Sequence, residues 1–211
     1  MGHQLSWSHY RELIPLKDIN KINYYINICE NNPITRDELK NRIKSKEYER
    51  LDEETKNKLI NNDEYNVVDF VKNPIQIKNN TNCEKNSEKY LQKLIVDDIE
   101  TFMKELGNSF CFIGSEYKIK IGNKYNYIDI LLFNIEYNCY VVIELKATEL
   151  KKEHIGQIQV YMNYIDKNLR KSNQNKTIGI IICKQNNEYV IKYCSDNRII
   201  ARTYELIWKK D

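Results

Sequence analysis

The sequence predicts an α/β protein: a mixed β-sheet core flanked by helices, with a small helical module in front of it. Three observations carry that prediction. Residues 110–146 contain three apolar runs of strand length separated by turn signals. Helical patterns over 88–106 and 152–169 bracket them, with apolar residues recurring every three or four positions. A further run, Thr177–Cys183, is almost wholly apolar, as a strand in the middle of a sheet is. Helix, strands, helix and strand in that order describe layers packed on one sheet.

Taken in order, the first fifty residues read as short helices over 7–16, 19–31 and 35–43. Pro33 punctuates the turn before the third, and Thr35-Arg36-Asp37-Glu38 forms a capping box at its start. Trp7 and Tyr10 read as core residues of this module, while Ser8, His9 and Arg11 are free to be exposed or to meet phosphate. Residues 44–62 are highly charged and short of large apolar side chains, which predicts a connector with at most a surface helix. The expected organisation is a helical module at 1–50, a charged connector at 51–63 and an α/β domain at 64–207.

Within that domain, 67–77 reads as a brief amphipathic piece leading into the polar loop KNNTNCEKNSEK. Leu91, Leu94, Ile95, Ile99, Phe102, Met103 and Leu106 make one face of a single helix, which Gly107 closes. Strands follow at 110–121, 125–133 and 139–146, with Gly122-Asn123 as a hairpin turn between the first two. After the helix over 152–169 and the strand at 177–183, short strands are expected at 189–193 and 199–203.

Composition excludes several classes. No segment approaches the roughly 18 consecutive apolar residues of a membrane span, and the mean hydropathy is −0.68. The N-terminus lacks the charged-then-apolar pattern of a secretory leader, so the expected location is the cytoplasm and no membrane partner is expected. Cys29, Cys83, Cys111, Cys139, Cys183 and Cys194 are scattered without a CxxC pair, which argues against structural zinc and against a disulfide framework. Cys111, Cys139 and Cys183 read instead as small buried apolar groups. A net charge of +3 permits nucleic-acid binding without requiring it.

The chemistry sits in two strands. YNYIDILLF carries Asp129 in its middle, and YVVIELKAT carries Glu144 and Lys146. Strand alternation puts Val142, Glu144 and Lys146 on one face. An ionised carboxylate buried without a partner costs several kcal/mol, of order 2–7 for even a neutral polar group, and two in neighbouring strands repel. A divalent cation resolves both difficulties, with Lys146 as a further positive charge. Hard oxygen ligands suit Mg²⁺, which keeps several waters and bridges carboxylates to phosphate. Metal, carboxylates and an ammonium group together suit hydrolysis of a phosphodiester.

Asp129, the Glu144-Leu145-Lys146 triplet and Gln157 on the following helix resemble the PD-(D/E)XK nuclease superfamily. The longer stretch YIDILLFNIEYNCYVVIELKATELKKEHIGQIQVYMNYID, and IGIIICK after it, resemble its YhcG-type branch. LSWSHYREL at 5–13 is similar to a motif in that branch's helical N-terminal domain. The resemblance implies a restriction-endonuclease-like fold, with Asp129 and Glu144 as metal ligands, Lys146 as the catalytic lysine and Gln157 supporting the site. It implies Glu88 as an acid approaching the metal, with Glu84 and Glu100 as competitors for that role. The implied activity is Mg²⁺-dependent hydrolysis of DNA, with Mn²⁺ as a substitute cation and RNA an open alternative. Ile128 stands where the family name has proline, and the chain starts almost at LSWSHYREL, whereas the family's helical domain extends well before it. A truncated version of that module is therefore expected.

Lys151 and Lys152 follow the second acidic strand and are placed to meet a nucleic-acid backbone, as is Arg11. Tyr161 and Tyr164 share a helical stripe with Gln157, and Tyr161 is a candidate for the same surface or for packing. A homodimer fits an enzyme that must cut two strands. A different class of function uses the same residues: a nucleic-acid-binding or assembly module on a nuclease-like fold, its metal site vestigial.

Overall fold

The computed structural model describes residues 5–61, 63–80, 87–194 and 196–208. The chain divides into two compact units, Met1–Asp69 and Phe70–Asp211.

The first unit is helical. It contains α1 (Trp7–Leu13), α2 (Ile19–Asn31), α3 (Arg36–Lys44) and α4 (Glu53–Asn61). Asp18 caps α2 by accepting from Asn20 and Lys21 N–H, and Thr35 with Glu38 forms the expected capping box of α3. Tyr24, Tyr25, Leu39, Tyr48 and Leu51 are buried, with the Tyr24 ring 5.1 Å from Tyr25 and 5.5 Å from Tyr48. Residues 48–55 thus contribute to this unit's core, contrary to a bare connector: few apolar residues suffice when two are large. Trp7 and Tyr10 are not core residues. α1 buries Leu13 and turns His9 toward the Ile34 carbonyl at 3.1 Å, which leaves Trp7 72% and Tyr10 44% exposed on another stripe.

The second unit is a six-stranded mixed sheet in the order β1-β6-β5-β4-β3-β2. Its strands are β1 (Ile75–Asn79), β2 (Phe110–Ile121), β3 (Lys124–Asn134), β4 (Cys139–Glu149), β5 (Ile178–Gln185) and β6 (Ile199–Trp208). β1, β6, β5 and β4 are mutually parallel, and β3 runs antiparallel to both β4 and β2. Three helices flank the sheet: α5 (Glu88–Asp97), α6 (Ile99–Leu106) and α7 (Lys152–Asn168). A short α8 (Glu188–Lys192) follows β5.

β4 is central and buried on both sides, as its run of apolar residues requires. Val142, Ile181 and Cys183 join Ile158, Met162 and Ile165 of α7 in one core. Gly179 makes that packing close: a Cβ there would lie 2.6 Å from Met162 Sδ and 2.9 Å from Ile158 Cδ1. Val141, Ile143, Leu145, Ile180 and Ile182 in the alternate register are equally buried, and α5 and α6 pack against β1, β2 and β4. Asp166 fastens the end of α7 to the start of β5, accepting from Thr177 N at 2.8 Å, Thr177 Oγ1 at 2.7 Å and Arg198 Nη1 at 3.1 Å.

Several expected elements differ. The helix over 88–106 is two helices, because the Asp98 side chain accepts from Thr101 N–H and starts a new one. Residues 75–79 form a strand, paired in parallel with β6, where an amphipathic piece was expected. Where a strand over 189–193 was expected, residues 189–192 belong to the helix α8: β5 already has neighbours on both sides, and Asn187 caps α8 through Val190 N–H. Cys139 and Cys183 are buried, but Cys111 is exposed because β2 is an edge strand; Cys83 lies outside the described residues.

Candidate active site

β3 and β4 are paired from Asn134↔Cys139 up to Ile130↔Ile143, where their backbone register ends. One residue further stand Asp129 and Glu144. The Asp129 carboxylate takes over from the ladder, its Oδ2 accepting the Leu145 N–H at 2.8 Å. The Asp129 carbonyl accepts from Gln92 Nε2 of α5 at 2.9 Å. Asp129 is thereby held at both ends, side chain and backbone, where the two strands part.

Glu144 is almost wholly buried, at 1% exposure. Its Oε2 lies 3.2 Å from Lys146 Nζ, and Lys146 Nζ also lies 3.8 Å from Glu88 Oε2 at the start of α5. The other oxygen, Glu144 Oε1, is buried and has no hydrogen-bond partner among the described residues. Such an atom is costly in a folded protein, since an unmade hydrogen bond to a buried group loses its full desolvation energy.

Electrostatics follow from burial. Desolvation, then the neighbouring Asp129 charge, pushes Glu144 from an ordinary 4.5 up to about 8, and Lys146 opposes this without prevailing. Burial also raises Asp129 against the Leu145 N–H and Lys146, which lower it, while Glu88 and Glu116 add to the rise. For Lys146, burial favours loss of the proton, but Glu144, Glu88 and Asp129 outweigh it and hold the pKa above the usual lysine value. The pair is one-sided: the lysine keeps its proton, and the glutamate resists losing its own. A hard cation is the group that would reverse this for the acids.

The residues fit a divalent ion that needs few protein ligands. No three His, Cys, Asp or Glu side chains among the described residues form a ready-made metal cluster. Mg²⁺ commonly takes only one or two carboxylates and fills its octahedron with water and phosphate. Asp129 and Glu144, whose Oε1 is unpartnered among the described residues, provide that set. Glu88 is exposed and pairs with Lys146. Of its competitors, Glu100 pairs with Lys104 on α6 at 2.7 Å, and Glu84 lies outside the described residues.

The other predicted residues are placed as follows. Gln157 is half-buried on α7 and donates from Nε2 to Tyr161 Oη at 3.2 Å. Tyr161 is buried in the α7 core, which leaves its ring no face for a nucleic acid. Lys151 and Lys152 are exposed at the start of α7, where His154 Nδ1 accepts the Lys151 N–H at 3.1 Å. Burial and the Lys146 charge lower the His154 pKa, in keeping with a neutral ring that accepts. Arg11 is exposed on α1 of the helical unit.

Sequence reading missed Gln92 and Glu116. Gln92 lies one helical turn from Glu88, so a stripe search along α5 would have found it. Glu116 stands opposite Asp129, between the pairs Ser115↔Ile130 and Tyr117↔Ile128, and counting outward from the Gly122-Asn123 turn reaches it.

The chain has matches among known proteins and family models. Over 123 residues the chain is 24% identical to "Putative nuclease YhcG" of Escherichia coli (strain K12), a match covering 57% of this chain and 33% of that protein. The chain thus spans about a third of the curated relative. Similar solved structures include a repair endonuclease from Pyrococcus abyssi, at 17% identity and a TM-score of 0.40, covering 61% of this chain and 50% of that one. EndoMS in its dsDNA2 complex is similar at 16% identity and a TM-score of 0.40, covering 62% of this chain and 48% of that one. Residues 1–50 match the DUF1016 N-terminal domain. Matched over residues 68–211, more than half of its length, the chain belongs to the YhcG PDDEXK nuclease domain family.

Proposed function

We propose that the second unit hydrolyses phosphodiester bonds of DNA with Mg²⁺, Mn²⁺ serving as a substitute. The observation that carries this reading is the buried Glu144 carboxylate, with one oxygen on Lys146 and the other unpartnered among the described residues, beside Asp129. Membership of a nuclease-domain family supports it.

Asp129 and Glu144 would hold the cation. When bound, it polarises the phosphate and makes water a better nucleophile at neutral pH. Leu145 N–H holds the Asp129 carboxylate and Gln92 holds its backbone carbonyl, which would keep the side chain in one position for the cation. Lys146, protonated and tethered between Glu144 and Glu88, would orient the attacking water and offset negative charge growing on the phosphate oxygens. Gln157 supports α7 through Tyr161, and Lys151 and Lys152 would offer charge to the backbone of the substrate; Arg11, exposed in the helical unit, would offer charge to nucleic acid separately.

The test is a panel of end-labelled linear, nicked, branched and single-stranded DNAs, with RNA alongside, incubated with Mg²⁺, Mn²⁺ or EDTA. Cutting of DNA only when a divalent cation is present is the expected result. Binding of DNA without cutting under every condition would overturn the proposal in favour of a non-catalytic binding module.

A further inference from the structure

We propose that the outer face of the β2–β3 hairpin is a track for single-stranded DNA leading to Asp129. The proposal rests on the reading of Asp129 and its neighbours as a phosphodiester-cleaving centre. It concerns residues that this reading does not use.

The hairpin alternates cleanly. Lys118 and Lys120 are exposed on either side of the buried Ile119, and Tyr125 and Tyr127 are exposed on either side of half-buried Asn126. Lys118 is registered opposite Tyr127, and Lys120 opposite Tyr125. Residues directly opposite in an antiparallel pair share a face, so these four side chains form one strip. The Lys118 ammonium lies 3.9 Å from the centroid of the Tyr125 ring and that of Lys120 lies 6.0 Å from it, which places them on the same side. Lys124 adds a third exposed cation at the turn.

The strip runs into the site. Tyr125, Tyr127 and Asp129 are alternate residues of one strand, each step about 6.7 Å. Tyr125 is 57% and Tyr127 51% exposed, large aromatic faces left in water on a strand that is otherwise well packed. Lysines alone would suit the backbone of a duplex. Tyrosines interleaved with them suit unpaired bases, because a base can stack on an aromatic ring only when it has left its own stack. Phosphates of such a strand would draw the lysines off the tyrosine rings and leave those rings to the bases. Charge and aromatic spacing therefore favour a single strand over a protein or a duplex.

Binding of a short labelled oligo(dT) and of a duplex of the same length, measured by fluorescence anisotropy on the whole chain in EDTA, tests this. All four side chains are exposed, so the variants are expected to keep the wild-type melting temperature and circular dichroism. The Tyr125→Ala/Tyr127→Ala variant should bind oligo(dT) about 10- to 100-fold more weakly and the duplex within about twofold of wild type. Lys118→Gln/Lys120→Gln should weaken oligo(dT) binding and reduce its log–log salt slope by about 1.4, the value for two lost phosphate contacts. Unchanged oligo(dT) affinity in the tyrosine variant, or equal losses for strand and duplex, would overturn the track. The two readings fail separately. Tyrosine-dependent strand binding by a wild type that cuts no DNA leaves the track standing without hydrolysis. Cutting of DNA by wild type, with unchanged binding in the tyrosine variant, does the reverse.

Discussion

A carboxylic acid in the interior of a sheet is tolerated when something compensates it, and at Glu144 the compensation within the protein is incomplete. Lys146 reaches one oxygen at 3.2 Å and the other has no partner among the described residues. Because burial raises the Glu144 pKa from 4.5 to about 8, the folded state binds a proton that the unfolded state releases. The sign follows: this group's contribution is fully present below pH 4.5 and is lost as pH rises toward 8. Metal-free protein should therefore lose thermal stability over that window. Glu144→Gln, with no charge to bury, should flatten the loss by an amount on the order of a few kcal/mol. Mg²⁺ should raise the melting temperature of wild type near pH 8 and leave Glu144→Gln almost unmoved. At Asp129 the role of the side chain divides. Asp129→Asn keeps an oxygen for the Leu145 N–H and removes the charge, so its unfolding free energy in EDTA should stay within about 1 kcal/mol of wild type. Its response to Mg²⁺, followed by calorimetry, should disappear.

At the scale of elements, the position of Glu144 and Lys146 depends on how closely α7 lies on β4 and β5. Gly179 sets that distance, since a methyl group there would meet Met162 and Ile158 at 2.6 and 2.9 Å. Gly179→Ala should cost about 1–3 kcal/mol by overpacking, read as a lower melting temperature, with the sheet retained in circular dichroism. The strands β2 to β5 and the helix α7 were legible because each carries an apolar pattern of its element's length and the Gly122-Asn123 turn fixed one register. What periodicity could not show was competition for backbone groups and for sheet edges. Asp98 splits a continuous apolar stripe into α5 and α6 by capturing Thr101 N–H, and residues 188–192 become α8 because no vacant strand position adjoins β5. Residues 75–79 are too short to declare themselves a strand without the β6 edge they pair with. α1 misled for a different cause: Trp7 and Tyr10 looked like core residues, but His9 and Leu13 define its buried side.

On the scale of the whole molecule, the buried apolar cluster that packs α7 onto the sheet is drawn from residues of Phe70–Asp211. Residues 70–211 made alone are therefore expected to fold cooperatively, with a Mg²⁺-dependent rise in melting temperature like that of the full chain. A non-cooperative melt would show that the helical unit is needed for the fold. The acids Asp129 and Glu144 and the lysine Lys146 were readable from the sequence because charged residues stand out within apolar strands. Gln92 and Glu116 do not stand out in that way: they are reached only by following the stripe from Glu88 and by counting outward from the Gly122-Asn123 turn, because their meaning depends on which strand and helix lie beside them. Cleavage of DNA by wild type and by Lys146→Ala, with saturating Mg²⁺ and equal DNA binding verified beforehand, tests the central claim most directly. A loss of rate in the variant by at least about 100-fold, the scale on which placed charge acts in catalysis, is the predicted result; cutting by Lys146→Ala at the wild-type rate would contradict it.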